Sequence, residues 1–195
     1  MEIALSLQHV AEMLRDRGDD TTTFETEAAA IEPARFYTEL VQLETDTTQI
    51  FYCLTKDALK DLIKELKELD PTAMVERWGH TRFIAIERPS QTNTSIFEEK
   101  DKGLLAQNGY FQLFDLKHLL YNPANHVYTP KHVKLTDDEV KALLESYQLK
   151  NRFLLPSIMR TDIMARWLGL RHGDVVRITR HTPTSGDSDY FRCCM

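Results

Sequence analysis

Residues 161–195 read TDIMARWLGLRHGDVVRITRHTPTSGDSDYFRCCM, and their punctuation sets the fold of the carboxyl-terminal part of the chain. Thr161 or Asp162 is placed to cap a short helix running through Leu168, and Gly169 ends it. Arg171-His172-Gly173-Asp174 makes a tight turn into the strand VVRITR (175–180), rich in β-branched residues. Pro183, Ser185 and Gly186 predict the next turn, and DYFRCCM (189–195) returns as a final strand. A helix followed by a terminal hairpin predicts a small α+β module.

Working upstream, HVYTPKHVKL (126–135) alternates as a strand, and Pro130 confines it to a sheet edge because proline donates no ladder hydrogen bond. Thr136-Asp137-Asp138-Glu139 then opens a helix with a capping box: Thr136 as N-cap and Glu139 three residues on. Leu135 is placed to staple onto Val140, and Asp137 and Asp138 sit where the helix dipole favours them. Val140, Leu143, Leu144 and Tyr147 form the expected buried stripe. Asn122-Pro123 is a turn signal. It predicts a front domain over 1–122 and a tail domain over 123–195.

The front half interleaves helices and strands. Ile3, Leu7, Val10 and Leu14 recur at helical spacing, with Gly18 as the cap. Residues 19–30 read as an exposed connection. Pro33 opens an expected second helix with Phe36, Leu40 and Leu43 on one face. QIFYCLT (49–55) predicts a buried strand. A helix over about 57–69 carries Leu59, Leu62, Ile63 and Leu66 on one stripe, and Pro71 stops it. RFIAIER (82–88) predicts a second strand, followed by the polar loop PSQTNTS. FQLFDLK (111–117) and LLY (119–121) read as further extended pieces. The expected front module is α/β, with helices on a mixed sheet.

Composition sets limits. The chain has 195 residues, 42% hydrophobic and 28% charged, the balance of a globular protein. No apolar run is long enough to span a bilayer, so no membrane partner is expected. The amino terminus lacks the basic region of a secretory signal. Three cysteines, two of them adjacent, do not form a disulfide framework and fit a reducing compartment. Net charge is −6, unevenly spread: residues 127–195 carry 11 Lys and Arg against 8 Asp and Glu, leaving 13 against 22 before them. Any nucleic-acid contact is therefore local, because binding through overall charge needs a dense basic surface.

Several motifs in register identify the tail. They are Thr129-Pro130-Lys131-His132, Leu155-Pro156, Asp162-Ile163-Met164-Ala165 and Gly169-Leu170-Arg171-His172-Gly173-Asp174-Val175-Val176. Thr182-Pro183-Thr184-Ser185-Gly186 and Phe191-Arg192 complete the set. Together they resemble the shared fifth subunit of eukaryotic-type DNA-directed RNA polymerases, whose tail module is also the archaeal H subunit. The resemblance covers residues 126–195. Glu12-Met13-Leu14-Arg15-Asp16-Arg17-Gly18 and RFIAIER are similar to parts of the family's front, or jaw, module. That module is present in eukaryotic and virus-encoded members and missing from archaeal ones. Two departures mark a divergent copy: Ile163 stands where the family has proline, and Asp187-Ser188 replaces a basic-aromatic pair.

The resemblance implies a non-catalytic subunit whose tail docks on the largest polymerase subunit and whose front module lies in the jaw near downstream duplex DNA. It implies a nuclear location for a cellular copy, and host cytoplasm, viral factory or virion for a virus-encoded one. Arginines and aromatics dominate interface energetics, which makes Arg166, Arg177, Arg180 and Arg192 candidate interface residues, whereas Trp167 reads as core. Pro130, His132, Pro156, Asp162, Gly169, Gly173 and Gly186 are structural positions of the motifs. Arg77 and Arg82, in the basic and aromatic cluster 77–82, are candidate DNA contacts. His126 and His132 lack the third and fourth ligands a metal site needs, so no metal and no cofactor are expected. A free-standing protein-binding adaptor is one alternative. A nuclease using Glu87, Glu98 and Lys100 is another, although Glu65-Leu66-Lys67 repeats the same tripeptide on a helix. There is no phosphate loop and no nucleophile elbow to support catalysis by the isolated chain.

Overall fold

Strand β2 (Thr48–Cys53) is buried at every position, as expected of a strand covered on both faces. In the computed structural model, which describes residues 1–88, 95–104, 108–182 and 186–195, it lies inside a four-stranded sheet. The order is β1 (Val41–Glu44), β2, β3 (Arg82–Glu87), β4 (Tyr110–Asp115). β2, β3 and β4 run parallel, and β1 is antiparallel to β2. Parallel neighbours require crossovers. Helices α3 (Lys56–Glu68) and α4 (Pro71–Trp78) make the first, and α5 (Ser95–Leu104) belongs to the second.

Strand alternation divides the side chains between the two faces. Phe51, Cys53, Phe83, Ala85 and Phe111 pack with Leu59, Leu62 and Leu66 of α3, Met74 of α4, and Phe97 and Leu104 of α5. Each fully buried Phe or Leu there contributes about 2 kcal/mol relative to exposure. Trp78 stands edge-on to both Phe51 and Phe83. On the other face, Tyr52 meets Phe36 edge-on at 5.1 Å, and its hydroxyl pairs with Ser6 Oγ of α1 (Glu2–Asp16) at 3.1 Å. α1 presents Ile3, Val10, Met13 and Leu14 to the core.

Five expectations for this unit need correction. Residues 22–30 form helix α2 (Thr22–Ala30) rather than a connection, with Phe24 as its buried residue. Three alanines favour the helix, but a single apolar anchor leaves no stripe to read. The helix expected after Pro33 is a single 3-10 turn, Arg35–Tyr37, followed by β1. Val41 and Leu43 point inward there, with Gln42 and Glu44 outward, so a two-residue period prevails over the helical spacing of Phe36, Leu40 and Leu43. Pro71 does not merely stop α3; it is the first residue of α4, which Gly79 closes at φ +71°. α5 begins at Ser95, the last residue of the expected polar loop, the rest of which lies outside the described residues. The LLY segment is not extended, because Leu119 belongs to the 3-10 turn Leu116–Leu119.

The chain divides into two units, Met1–Tyr121 and Asn122–Met195. The second contains a four-stranded sheet ordered β5 (Lys131–Lys134), β7 (Val175–Thr182), β8 (Gly186–Cys194), β6 (Ser157–Ile158). β5 is an edge strand, but residues 126–130 do not join it. α6 (Asp137–Ser146) has the full capping box: Glu139 N donates to Thr136 Oγ1, and Thr136 N donates to Glu139 Oε2 at 2.8 Å. Leu135, Val140, Leu143, Leu155, Val175 and Cys193 form the core, with Phe191 packed against it. Tyr147 is not part of the buried stripe. The helix ends at Ser146, and Tyr147 lies 57% exposed, edge-on to Phe191. β8 begins earlier than the sequence suggests, at Gly186, while Pro183, Thr184 and Ser185 lie outside the described residues.

Candidate subunit interface

The motif residues of the tail build a frame. Asp162 Oδ1 accepts from Met164 N at 2.8 Å and from Ala165 N at 3.4 Å, starting α7 (Ile163–Trp167). Gly169, at φ +61°, closes it: Leu170 N donates to Ala165 O and Gly169 N to Arg166 O. That is the paired closure that only a left-handed residue completes readily. Gly173, at φ +89°, sits in the following turn, where Asp174 N donates to Arg171 O and Asp174 Oδ2 accepts from Arg171 N at 2.7 Å. His132 Nδ1 is 2.7 Å from Pro130 O, and Pro156 O accepts from Cys193 N. Gly186 opens β8 at φ +69°. Trp167 is buried, as the core reading requires.

The four candidate interface arginines do not share one face. Register pairs Val176 with Arg192, Ile178 with Tyr190 and Arg180 with Ser188 on one side of the β7–β8 hairpin. Arg177 lies on the other side, opposite Phe191, where its charge helps hold the Glu139 carboxyl below the usual range, behind the hydrogen bonds from Thr136. Arg192 Nη1 donates to Ser157 O at 2.8 Å, and Arg180 stacks over the Tyr190 ring at 5.1 Å. Arg166 lies in the last turn of α7. Tyr190, Leu154, Met159 and Ile163 are also exposed on this unit, which no local pattern in the sequence signals. Ile163, which stands where the family has proline, is exposed at the first residue of α7.

In the front unit, the cluster 77–82 is tied inward. Arg77 pairs with Glu65 and stacks over Trp78; His80 Nε2 lies 3.5 Å from Glu44. Arg82 Nη1 donates to the buried Asp19 at 2.9 Å, and Thr48 Oγ1 donates to the same carboxylate at 2.8 Å. The residues of the nuclease alternative do not converge. Glu98 is exposed on α5, whereas Lys100, about 200° further around the helix, is buried and donates to Leu69 O at 2.6 Å. Glu87 closes β3, buried and beside Asp115. His126 caps a turn with Tyr128 and is not on the strand that carries His132. Among the described residues no three His, Cys, Asp or Glu side chains are grouped to hold a metal ion, and no helix is long and apolar enough to cross a membrane.

Residues 121–194 match the family model described as RNA polymerase Rpb5, C-terminal domain. A Caenorhabditis briggsae protein, DNA-directed RNA polymerases I, II, and III subunit RPABC1, is 30% identical over 165 residues, 84% of this chain and 75% of that one. The chain belongs to the Rpb5 family of RNA polymerase subunits. The Dictyostelium discoideum subunit rpabc1 is 29% identical over 190 residues, spanning 95% of this chain and 93% of its own. The archaeal subunit Rpo5 of Thermofilum pendens is 41% identical over 75 residues, which are 38% of this chain but 92% of the relative.

Proposed function

We propose that this chain is a non-catalytic subunit of a multisubunit DNA-dependent RNA polymerase, with its tail docked on the largest subunit and its front unit placed in the jaw beside downstream duplex DNA. The observation that carries the reading is the likeness to a RPABC1 chain along nearly the whole sequence, both units included. Exposed Leu154, Met159 and Ile163, with Arg166, Arg177, Arg180 and Arg192, supply the mixture of apolar and guanidinium groups that protein interfaces favour. In the front unit, Arg77, with 54% of its side chain exposed, is better placed to meet a phosphate than Arg82, which is committed to Asp19. The chain would work in the nucleus if cellular, or in host cytoplasm, a viral factory or a virion if virus-encoded.

The test is purification of the tagged chain from its own source. It should elute with very large subunits at fixed stoichiometry; elution alone, or with unrelated proteins, overturns the polymerase reading in favour of an adaptor. Replacing Arg166, Arg177, Arg180 and Arg192 together by alanine should release the chain from the largest subunit. Unchanged assembly would show that docking uses another surface.

A further inference from the structure

The β7–β8 hairpin outruns its sheet. β5 pairs with β7 only as far as Thr179, and β6 pairs with β8 only at Cys193 and Cys194. The pairs Arg180–Ser188, His181–Asp187 and Thr182–Gly186 therefore extend as a two-stranded arm. Strand alternation separates the arm's charges by face. On one face Thr179 Oγ1 donates to Asp189 Oδ1 at 2.6 Å, and His181 Nδ1 lies 2.7 Å from Asp187 Oδ1, so both carboxylates are answered within the arm. The opposite face carries Arg180, Ser188, Tyr190 and Arg192, and no carboxylate. Arg180 is exposed, stacks on a Tyr190 that is itself 48% exposed, and its guanidinium has no hydrogen-bond or ion-pair partner among the described residues.

We infer that Arg180, held over Tyr190, is the anchor of the docking surface and takes a carboxylate from an acidic segment of the largest polymerase subunit. This rests on the docking reading above and narrows it to one pair of side chains and one ligand chemistry. Stacking fixes the guanidinium plane while leaving its donor fork open, the geometry that suits a carboxylate accepting two parallel hydrogen bonds. Charge complementarity selects an anionic group for this face. A protein carboxylate is favoured over a nucleic-acid backbone because the arm beyond the sheet carries a single arginine, Arg180, has Asp187 on its reverse, and belongs to a chain of net charge −6. A phosphate backbone is held by several cations at once.

The experiment measures association of the full-length chain with its cognate largest subunit, comparing wild type with R180A, R180K, Y190A and K141A, each checked for an unchanged melting temperature. R180A is expected to weaken association about tenfold or more, with R180K recovering little, because an ammonium lacks the fork. Y190A should fall between wild type and R180A, and K141A, which removes an exposed charge of α6 paired with Asp138, should stay within twofold of wild type. Wild-type association with an unaffected R180A overturns this inference and leaves the docking reading standing. No association by wild type overturns both. A duplex-DNA titration is run alongside; R180A losing DNA affinity while keeping subunit affinity also overturns the proposal.

Discussion

Glu87 illustrates how one residue can oppose the unit that contains it. It ends β3 with 8% exposure, its Oε2 has no partner among the described residues, and register sets Asp115 beside it. Burial, and then the Asp115 charge, pushes its carboxyl above the ordinary value, and burial with Glu87 nearby pushes the Cys53 thiol up to about 12. The folded state therefore holds the Glu87 proton more tightly than the unfolded chain does. Between the unfolded pKa of about 4.3 and the raised folded value, the native state binds more protons, so stability falls as pH rises through that window. E87Q, which stays neutral, should melt like wild type at the acid end and increasingly above it as pH rises, with the gap levelling off beyond the folded pKa. Thermal unfolding of both proteins across a pH series measures this, and a constant gap would refute it. The sequence offers Glu87 only as one member of the nuclease alternative with Glu98 and Lys100; the parallel pairing with β4 gives it Asp115 as its neighbour.

Among the elements, those fixed by local chemistry were legible and those fixed by packing were not. α6 is announced by Thr136 and Glu139, and α7 by Asp162 and Gly169, because each cap is a hydrogen bond within a few residues. α5 has no legible apolar stripe because its inward positions are Phe97, Lys100, Asp101 and Leu104. Lys100 answers Leu69 O, and Asp101 Oδ1 accepts the β4 amide of Phe111 at 2.9 Å, so two charges interrupt the apolar stripe. Glu27 Oε2 does the same for the amide of Glu44 on β1. Carboxylates thus cover an amide on each outer strand of the front sheet, a means of blunting edges that no periodicity reveals. The clearest test at this scale concerns α6. T136A should lower stability by about 1 kcal/mol in denaturant titration, while T136S should be nearly neutral. Hydrogen bonds from Thr136 hold the Glu139 carboxyl below its usual range, so that contribution is present above the unfolded pKa and is lost as pH falls through the folded one. The difference between T136A and wild type should accordingly shrink in acid.

At the scale of the whole chain, the acidic front and the basic tail differ in charge as well as in fold. What composition could not supply is the order of the tail sheet: β5-β7-β8-β6 places the two-residue β6 parallel to the last strand, a pairing with no local signature. The tail closes its own core around Leu135, Val140, Leu143, Leu155, Val175 and Cys193. The Thermofilum pendens Rpo5 chain spans the tail with 92% of its own length, so a chain little longer than the tail exists as a protein in its own right. A fragment spanning residues 122–195 should therefore fold without the front unit. A domain of that size buries a smaller share of its surface than a larger one, so its stability should be modest, on the order of 3–5 kcal/mol. Circular dichroism and a denaturant titration of the fragment decide the matter. A cooperative transition with native-like helix and strand signals is expected, whereas a non-cooperative, unfolded fragment would mean that the tail depends on the front unit for its core.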